Sequence, residues 1–350
     1  MKFQVLSIPA ISALSLLGSC SSTRSIAPDA LVPTVITQQV EFDTDDPAIW
    51  INPADASKSL IVGTDKETNG GIYVFDLSGK IVNKVTGLQR PNNIDIAYGL
   101  KVAGKSVDIA VFTERETNKI RVFSMPDLKP LDNGGIEVFL GESQRDPMGV
   151  ALYTRPSDGA IFAIVGRKTG PSGSYLWQYQ LHGKNTGLVD GTLLRKFGAF
   201  SGKKEIESIA VDNENGYIYY SDEGAGVHKY YADVDKGNQE LAFFGSKDFK
   251  ADVEGISIYK TTETDGYILI SDQQANRFSV YSRSGSPGNP HQHSRLASIP
   301  FSTLESDGSD VTSVNLGPKF PKGVFVAMSN GKVFHYYDWR LIEERIKKGR

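Results

Sequence analysis

The chain has 350 residues, of which 39% are hydrophobic and 23% are charged, and its formal net charge is -3. This apolar fraction supports a folded core and excludes wholesale disorder, and the slightly acidic balance gives no support to nucleic-acid binding. The single cysteine excludes an internal disulfide and a cysteine-rich zinc site. The 35 glycines, 15 tyrosines and 17 phenylalanines favour an all-β protein with many turns.

The amino terminus is predicted to be an export signal. Residues 1–19 carry one charge, Lys2, followed by an apolar run that is too short to span a bilayer. The run ends in LGSC, which resembles the bacterial lipobox and predicts lipidation of Cys20, after removal of the signal peptide. Ordinary cleavage, with Cys20 present by chance, is the alternative. Residues 20–34 are rich in Ser, Thr, Ala and Pro and are predicted to be a flexible tether.

These features predict an exported lipoprotein, palmitate-modified and attached to a membrane by its lipid alone. No later segment of the sequence is apolar enough to cross a bilayer. Ser21, rather than an acidic residue, follows the predicted lipid site, which is compatible with the outer membrane. The protein is therefore expected to face the periplasm or the cell surface.

From about residue 43 onward, three kinds of short segment recur six times in the same order. The first opens with acids or amides and continues as a strand, the second is aliphatic and ends in charged or polar residues, and the third alternates apolar and polar residues. The period of about fifty residues is typical of a β-propeller blade. The sequence therefore predicts an all-β, six-bladed β-propeller over residues 35–350, since the alternative of two stacked β-sandwiches would not need six similar copies.

The two ends of the repeat region are predicted to complete the ring. Residues 35–42 alternate and are expected to form the outer strand of the last blade, which removes an exposed sheet edge. A helix is predicted over residues 338–348, capped by Asp338, and a closed ring of this kind is expected to be monomeric. His291 and His293 lie in a Gly- and Pro-rich loop and are predicted to be solvated.

The repeat also predicts where the polar side chains meet. The innermost strand of a blade lines the central channel and the second strand is antiparallel to it, so the start of one and the end of the other share a mouth. An acidic ring is expected at this mouth, edged by Lys66, Arg115 and Lys168. Crowded carboxylates require neutralisation, and calcium fits oxygen ligands in loose geometry. A solvated acidic surface, with the bases as ion-pair partners, is the alternative.

The motifs resemble those of the β-propeller phytases, a family of calcium-dependent, six-bladed phosphatases of phytate. The resemblance is carried by DDPAIW at 45–50, GTDK at 63–66, NNID at 92–95, DVEG at 252–255 and SDQ at 271–273, and it covers residues 43–345. It implies catalytic or phosphate-binding roles for Lys66, Arg115, Lys168, Glu207 and Glu223. It implies calcium ligands or their near neighbours at Asp45, Asp46, Asn93, Asp95, Glu207, Glu223, Asp252, Glu254, Gln273 and Asp307.

The resemblance implies a phosphoric monoester hydrolase of the 3-phytase type. Its substrate would be myo-inositol hexakisphosphate (phytate) or another inositol phosphate, as a calcium complex, attacked by a water that one of several calcium ions activates. The three bases would stabilise charge on the phosphoryl oxygens. The chain has no cysteine beyond the predicted lipid site and no Arg-His-Gly signature, which excludes two other phosphatase chemistries.

The sequence also departs from the family pattern. Met148 stands where the family usually has a tyrosine, Phe42 where it has an aspartate, and Glu67 where a second lysine often follows. Two other functions stay open: a lactonase- or esterase-like propeller with one channel metal, and a non-catalytic lipoprotein that binds a partner or polyanion. The three bases argue against the first, whereas Met148 and an altered last blade support the second.

Overall fold

The computed structural model describes residues 26–250 and 252–349. The predicted signal peptide, at 1–19, and the predicted lipid site at Cys20 lie outside the described residues. Within the described ranges, no helix combines the length and the hydropathy that a membrane crossing requires.

The described strands form six four-stranded antiparallel sheets, which confirms the predicted six-bladed β-propeller. Blade 1 contains β2 (Thr44–Trp50), β3 (Leu60–Asp65), β4 (Thr68–Phe75) and β5 (Ile81–Gln89). Blade 2 contains β6 (Pro91–Val102), β7 (Lys105–Glu114), β8 (Lys119–Met125) and β9 (Ile136–Glu137). Blade 3 contains β10 (Pro147–Thr154), β11 (Ile161–Arg167), β12 (Leu176–Gly183) and β13 (Val189–Phe197).

The remaining three blades follow in chain order. Blade 4 contains β14 (Ile209–Asp212), β15 (Tyr217–Asp222), β16 (Gly226–Tyr231) and β17 (Ala242–Phe244). Blade 5 contains β18 (Val253–Lys260), β19 (Gly266–Asp272), β20 (Arg277–Ser282) and β21 (Arg295–Pro300). Blade 6 contains β22 (Ser309–Thr312), β23 (Val324–Ser329), β24 (Val333–Asp338) and, from the other end of the domain, β1 (Val35–Ile36).

The innermost strands make a closed ring. Each of β2, β6, β10, β14, β18 and β22 contacts the next, and β22 contacts β2. Six hydrophobic clusters lie between adjacent blades, as where Val111 of blade 2 and Val165 of blade 3 share one core. A four-stranded blade therefore buries its faces only against its two neighbours, and the ring folds as one unit.

The predicted closing strand is present but shorter than residues 35–42. In β1, Val35 lies opposite Tyr336 and Ile36 opposite His335. Folded contacts begin before residue 35, because the Leu31 N–H donates to the Pro300 carbonyl at 2.9 Å and its buried side chain joins the core of blades 5 and 6.

The predicted terminal helix is confirmed as α1 (Trp339–Gly349). Asp338 caps it, since its carboxylate accepts the Arg340 N–H at 3.0 Å. Trp339, Ile342 and Ile346 are buried, and the Trp339 ring stacks on Tyr259. The helix thus covers the apolar edge between blades 5 and 6.

The prediction that His291 and His293 are solvated is wrong for His293, whereas His291 is partly exposed. Their loop folds back onto blade 4, where the His293 ring packs 4.6 Å from that of Phe244 and its Nε2 lies 3.2 Å from the Lys229 Nζ. His291 packs edge-on against Tyr217. Burial and the Lys229 charge lower the pKa of His293 to about 4, so it stays neutral at ordinary pH. Composition identified the loop but not the surface that receives it.

Candidate metal and phosphate site

The end of each second strand returns to the start of the innermost strand of the same blade. One backbone hydrogen bond recurs there in five blades: Lys66 to Asp43 (2.8 Å), Arg115 to Arg90 (3.0 Å), Lys168 to Asp146 (3.0 Å), Glu223 to Glu205 (3.1 Å) and Gln273 to Asp252 (3.3 Å), written donor first. This bond places the five donor residues around one mouth of the channel, as the antiparallel pairing requires.

A bulge in the innermost strand sends consecutive side chains in different directions. The register shifts between Thr44 and Pro47 in β2, and comparable shifts occur in β6, β10 and β18. In β2, the Asp45 carboxylate reaches the mouth and accepts from Lys66 Nζ at 2.8 Å. The Asp46 side chain instead lines the channel and accepts the Ile94 N–H at 3.1 Å.

Lys66 holds the centre of the mouth together. Its ammonium bridges the carboxylates of Asp45 and Asp307, and the Gln273 amide also donates to Asp307. Asn92 donates to both Asp45 and Glu207, which links blades 1, 2 and 4. Burial opposes the charge on Lys66, but the two carboxylates outweigh it and raise its pKa, so the base is a permanent cation here.

Two carboxylate triads lie beside this centre and share Glu223. Glu205, Glu207 and Glu223 form one triad, and Glu223, Asp252 and Glu254 form the other, each with one oxygen per residue within 4.8 Å of the others. The side chains of Glu223 and Glu254 are almost fully buried, at 5% and 4% exposure.

Buried oxygens in these triads lack hydrogen-bond partners. Among the described residues, Oε1 of Glu223 and Oε2 of Glu254 are buried with no donor. Buried carboxylate oxygens are normally satisfied, and a hard cation with six to eight oxygen ligands is the partner that this donor set suits. The residues therefore fit calcium.

Burial also raises the proton affinity of the triads. Desolvation, reinforced by the neighbouring carboxylates, raises the pKa of Glu223 to about 8 and raises those of Glu207 and Glu254 well above the usual range. At neutral pH the acids either hold protons or need bound cations. A solvated acidic surface would show neither this burial nor these shifts.

The bases predicted at the rim lie at the mouth but differ in their contacts. Lys168 lines a groove of about 630 Å³ with Glu205 and Glu223, and its Nζ lies 3.4 Å from the Glu205 Oε2. Arg115, which directly follows β7, is half-buried. Positive charge is thus available at two rim positions in addition to Lys66.

Three predicted metal-site residues lie in the channel, apart from the triads. Asp46, Asn93 and Asp95 line a cavity of about 180 Å³ together with Asp310. The Asp95 carboxylate accepts the N–H of Leu152 in the next blade at 2.7 Å, and Asp310 likewise accepts that of Ile49 at 2.8 Å. These carboxylates therefore link innermost strands across blade boundaries. Burial raises the pKa of Asp95 to about 6 and that of Asp310 to about 7.

A third set of acids has a purely structural geometry. Each precedes a mouth residue and accepts backbone N–H groups of the loop that enters its blade: Asp65 from Asp43 (2.7 Å), Asp222 from Ser201 (2.6 Å) and Asp272 from Lys250 (3.0 Å). Adjacent positions in one motif therefore serve different roles, one fixing the loop and the next facing the mouth.

The departures from the family pattern have local roles. Met148 is buried and its carbonyl accepts from the Thr113 hydroxyl at 2.6 Å. Gly149, next to it, allows close approach, because a Cβ there would lie 2.0 Å from the Glu207 carbonyl oxygen. Glu67 forms an ion pair with Arg90 at 3.7 Å.

Sequence reasoning did not select Glu205 or Asn92 as site residues. Glu205 stands two positions before Glu207, and in an extended segment that spacing puts both side chains on the same side. Asn92 lies directly before Asn93 in the NNID motif, and it is the bulge that brings Asn92, rather than Asn93, to Asp45. The spacing of Glu205 from Glu207 could have identified Glu205 from the sequence, whereas nothing in the sequence indicated the bulge at Asn92.

The fold and the site define a closed β-propeller whose acidic mouth fits cations and whose rim carries bases. The family model described as Phytase matches residues 3–335. The chain belongs to the phytase family. A 3-phytase of Bacillus subtilis (strain 168) is 28% identical over 326 residues, covering 86% of this chain and 81% of that protein.

Two solved structures match most of the chain at low sequence identity. The Dos1 propeller has a TM-score of 0.44 at 12% identity and covers 84% of this chain and 67% of its own. Kuenenia stuttgartiensis hydrazine synthase has a TM-score of 0.49 at 12% identity and covers 83% and 82%.

Proposed function

We propose that the protein is a calcium-dependent phytase of the 3-phytase type. The observation that carries the proposal is the pair of triads sharing Glu223, whose buried oxygens on Glu223 and Glu254 have no partner among the described residues. The family relationship supplies the substrate class, inositol phosphates. Several calcium ions are proposed, since the two triads, which share Glu223, and the Asp45–Asp307 pair offer three carboxylate sets.

The side chains of this site would bind and orient the substrate in a definite way. The triads, with Asp307 and Gln273 nearby, would hold the metal, and bound calcium would supply positive charge to phosphate oxygens and make a water more nucleophilic. Lys66 would present its charge from a position fixed by Asp45 and Asp307. Lys168 and Arg115, at the rim, would bind the phosphates around the one that reacts.

Glu207 has a further assigned role beside the metal. It touches Asn92, which also donates to Asp45, so its carboxylate is held on the channel side of the triad. Burial and the Asp45 charge raise its pKa well above the usual range. We propose that, once a bound cation keeps its carboxylate ionised, Glu207 accepts a proton from the attacking water.

The test is a substrate panel measured with calcium and then with excess chelator. The full chain should release phosphate from phytate in calcium and stop when the chelator is added, with little hydrolysis of a sugar lactone. Lactone hydrolysis without phosphate release would replace the proposal by a lactonase. If neither substrate is turned over between mildly acidic and alkaline pH, the alternative of a non-catalytic binding protein would be supported instead.

We further propose export and attachment to the outer membrane through Cys20, as a monomer. The signal-like residues 1–19 and the LGSC sequence support attachment. Expressed in a bacterial host, the protein should enter the detergent phase on phase separation and incorporate labelled palmitate, whereas Cys20→Ser should do neither. Label in the Cys20→Ser variant, or none in the native chain, would contradict the lipid assignment.

A further inference from the structure

Lys204 lies in the groove beside the triads, on the loop that precedes β14. The groove of about 630 Å³ has Lys168 and Lys204 among its lining residues, with Glu205 and Glu223. A groove of this volume is large enough for a small polyanion. Two lysines thus face the place where a phosphate would meet the metal-binding carboxylates.

The Lys204 ammonium pairs with a metal-site carboxylate. Its Nζ forms an ion pair with Asp252, one of the Glu223–Asp252–Glu254 triad, and the charges of Glu223 and Glu254 also act on it. The side chain of Lys204 is 50% exposed, whereas that of Lys66 in its similar pairing is 20% exposed. Lys204 is the exposed partner of this pair, whereas the Asp252 side chain is 11% exposed, so Lys204 can leave at small cost once a metal ion compensates the Asp252 charge.

A divalent cation in that triad and the Lys204 ammonium compete for the same carboxylate. Two like charges a few ångströms apart repel each other, more strongly in a partly buried site than in water. Metal binding therefore favours a Lys204 rotamer that leaves Asp252. The open space available to the side chain is the groove, which Lys168 lines as well.

We propose that Lys204 is a further phosphate-binding residue of this chain, which neutralises Asp252 in the metal-free protein and binds a substrate phosphate once metal occupies the triad. This inference rests on the proposed function and adds a residue to it. Lys204 would act with Lys168 on a phosphate that lies over Glu205 and Glu223, whereas Lys66 acts nearer the channel axis. The same side chain would thereby make metal binding weaker and substrate binding stronger.

The experiment compares Lys204→Gln with Lys203→Gln in the full chain. Lys203 is the matched control, because it is exposed, carries the same charge one residue away, and its ammonium donates to the Gly224 carbonyl at 2.8 Å rather than to a carboxylate. Calcium binding is measured by calorimetry. Binding of myo-inositol hexasulfate, a polyanion without a phosphoester bond, is then measured with calcium in excess. The KM and kcat for phytate complete the set.

For Lys204→Gln we expect calcium affinity to rise about three-fold or more, since a competing cation is removed. Hexasulfate Kd and phytate KM should both rise about five-fold, with kcat changed less than about two-fold. Lys203→Gln should behave as the native chain. Equal behaviour of the two variants, or a fall in calcium affinity in Lys204→Gln, would overturn the role of Lys204. Failure of the phytase proposal differs, because the native chain itself would then release no phosphate.

Discussion

Replacing Glu223 by glutamine should stabilise the metal-free protein and remove most of the stabilisation that calcium provides. Burial raises the pKa of Glu223 to about 8 from 4.5, so the folded state binds this proton more tightly than the unfolded state does. The stability of the metal-free protein therefore falls as pH rises from about 4.5 to 8. Above pH 8 the full destabilisation from the buried, ionised Glu223 carboxylate is present. Each pKa unit corresponds to about 1.4 kcal/mol before relaxation and water penetration reduce it, so we expect Glu223→Gln to stabilise the metal-free protein by about 2 kcal/mol at pH 9.

With calcium, the same variant should lose most of the stabilisation that the bound metal provides. A metal at 100 times its Kd stabilises a folded protein by about 2.7 kcal/mol. Glu223 belongs to both triads, and its loss should weaken calcium at least as much as the loss of an outer-shell partner does, about 100-fold. The calcium-induced gain should then fall to about 0.4 kcal/mol. For a domain of this size these values correspond to shifts in Tm of about 5 °C in the native chain and about 1 °C in the variant.

The assay is thermal unfolding at pH 9 of native chain, Glu223→Gln and Glu263→Gln, each with chelator and with calcium. Glu263 is the matched control, because it makes the same chemical change at an exposed position between β18 and β19. The control should follow the native chain in both conditions. If Glu223→Gln lowers Tm in chelator, or keeps the full calcium shift, then Glu223 is not a buried metal ligand.

Three further outcomes are expected. Lys66→Met should lower kcat for phytate by about 100-fold, because a fixed charge at the mouth is lost, whereas Lys105→Met, at the exposed first residue of β7, should not; full turnover in both would show that the site lies elsewhere. Asp65→Asn should cost about 1–3 kcal/mol of stability, since the buried carboxylate accepts the Asp43 N–H. Calorimetry should show an unchanged calcium Kd, and a ten-fold weaker affinity would instead make Asp65 a calcium ligand. In chelator, Tm should fall from pH 5 to pH 8 as buried acids such as Asp310, with a raised pKa of about 7, give up protons; a rising Tm would contradict their burial.

The blade repeat could be predicted because every blade of a propeller requires the same strand patterns in the sequence. Each blade needs an innermost strand, an aliphatic second strand and an alternating third strand, and these three patterns recur with little interruption. The antiparallel pairing of the first two strands also placed Lys66 near Asp45 from spacing alone. The closing strand and the cap at Asp338 follow from local alternation and side-chain chemistry.

The division of the acids among three roles could not be predicted. Asp45 and Asp46 are neighbours, yet a bulge sends one to the mouth and the other to the channel. The position of Asp65 directly before Lys66 suggests a metal ligand, but its carboxylate oxygens accept hydrogen bonds from backbone N–H groups instead. Burial decides these roles, and burial depends on blades that are distant in sequence. The packing of the His291 loop onto blade 4 could not be predicted for the same reason.

Calcium dependence is tested directly by a calcium titration of phosphate release from phytate. The full chain is first stripped of divalent cations with chelator, and calcium is then added in steps at neutral pH. The stripped protein should release no phosphate, and activity should return saturably as calcium is added, at higher calcium in Glu223→Gln than in the native chain. Release that persists after stripping, or that calcium fails to restore at any concentration, would contradict a calcium-dependent phytase built on the two triads.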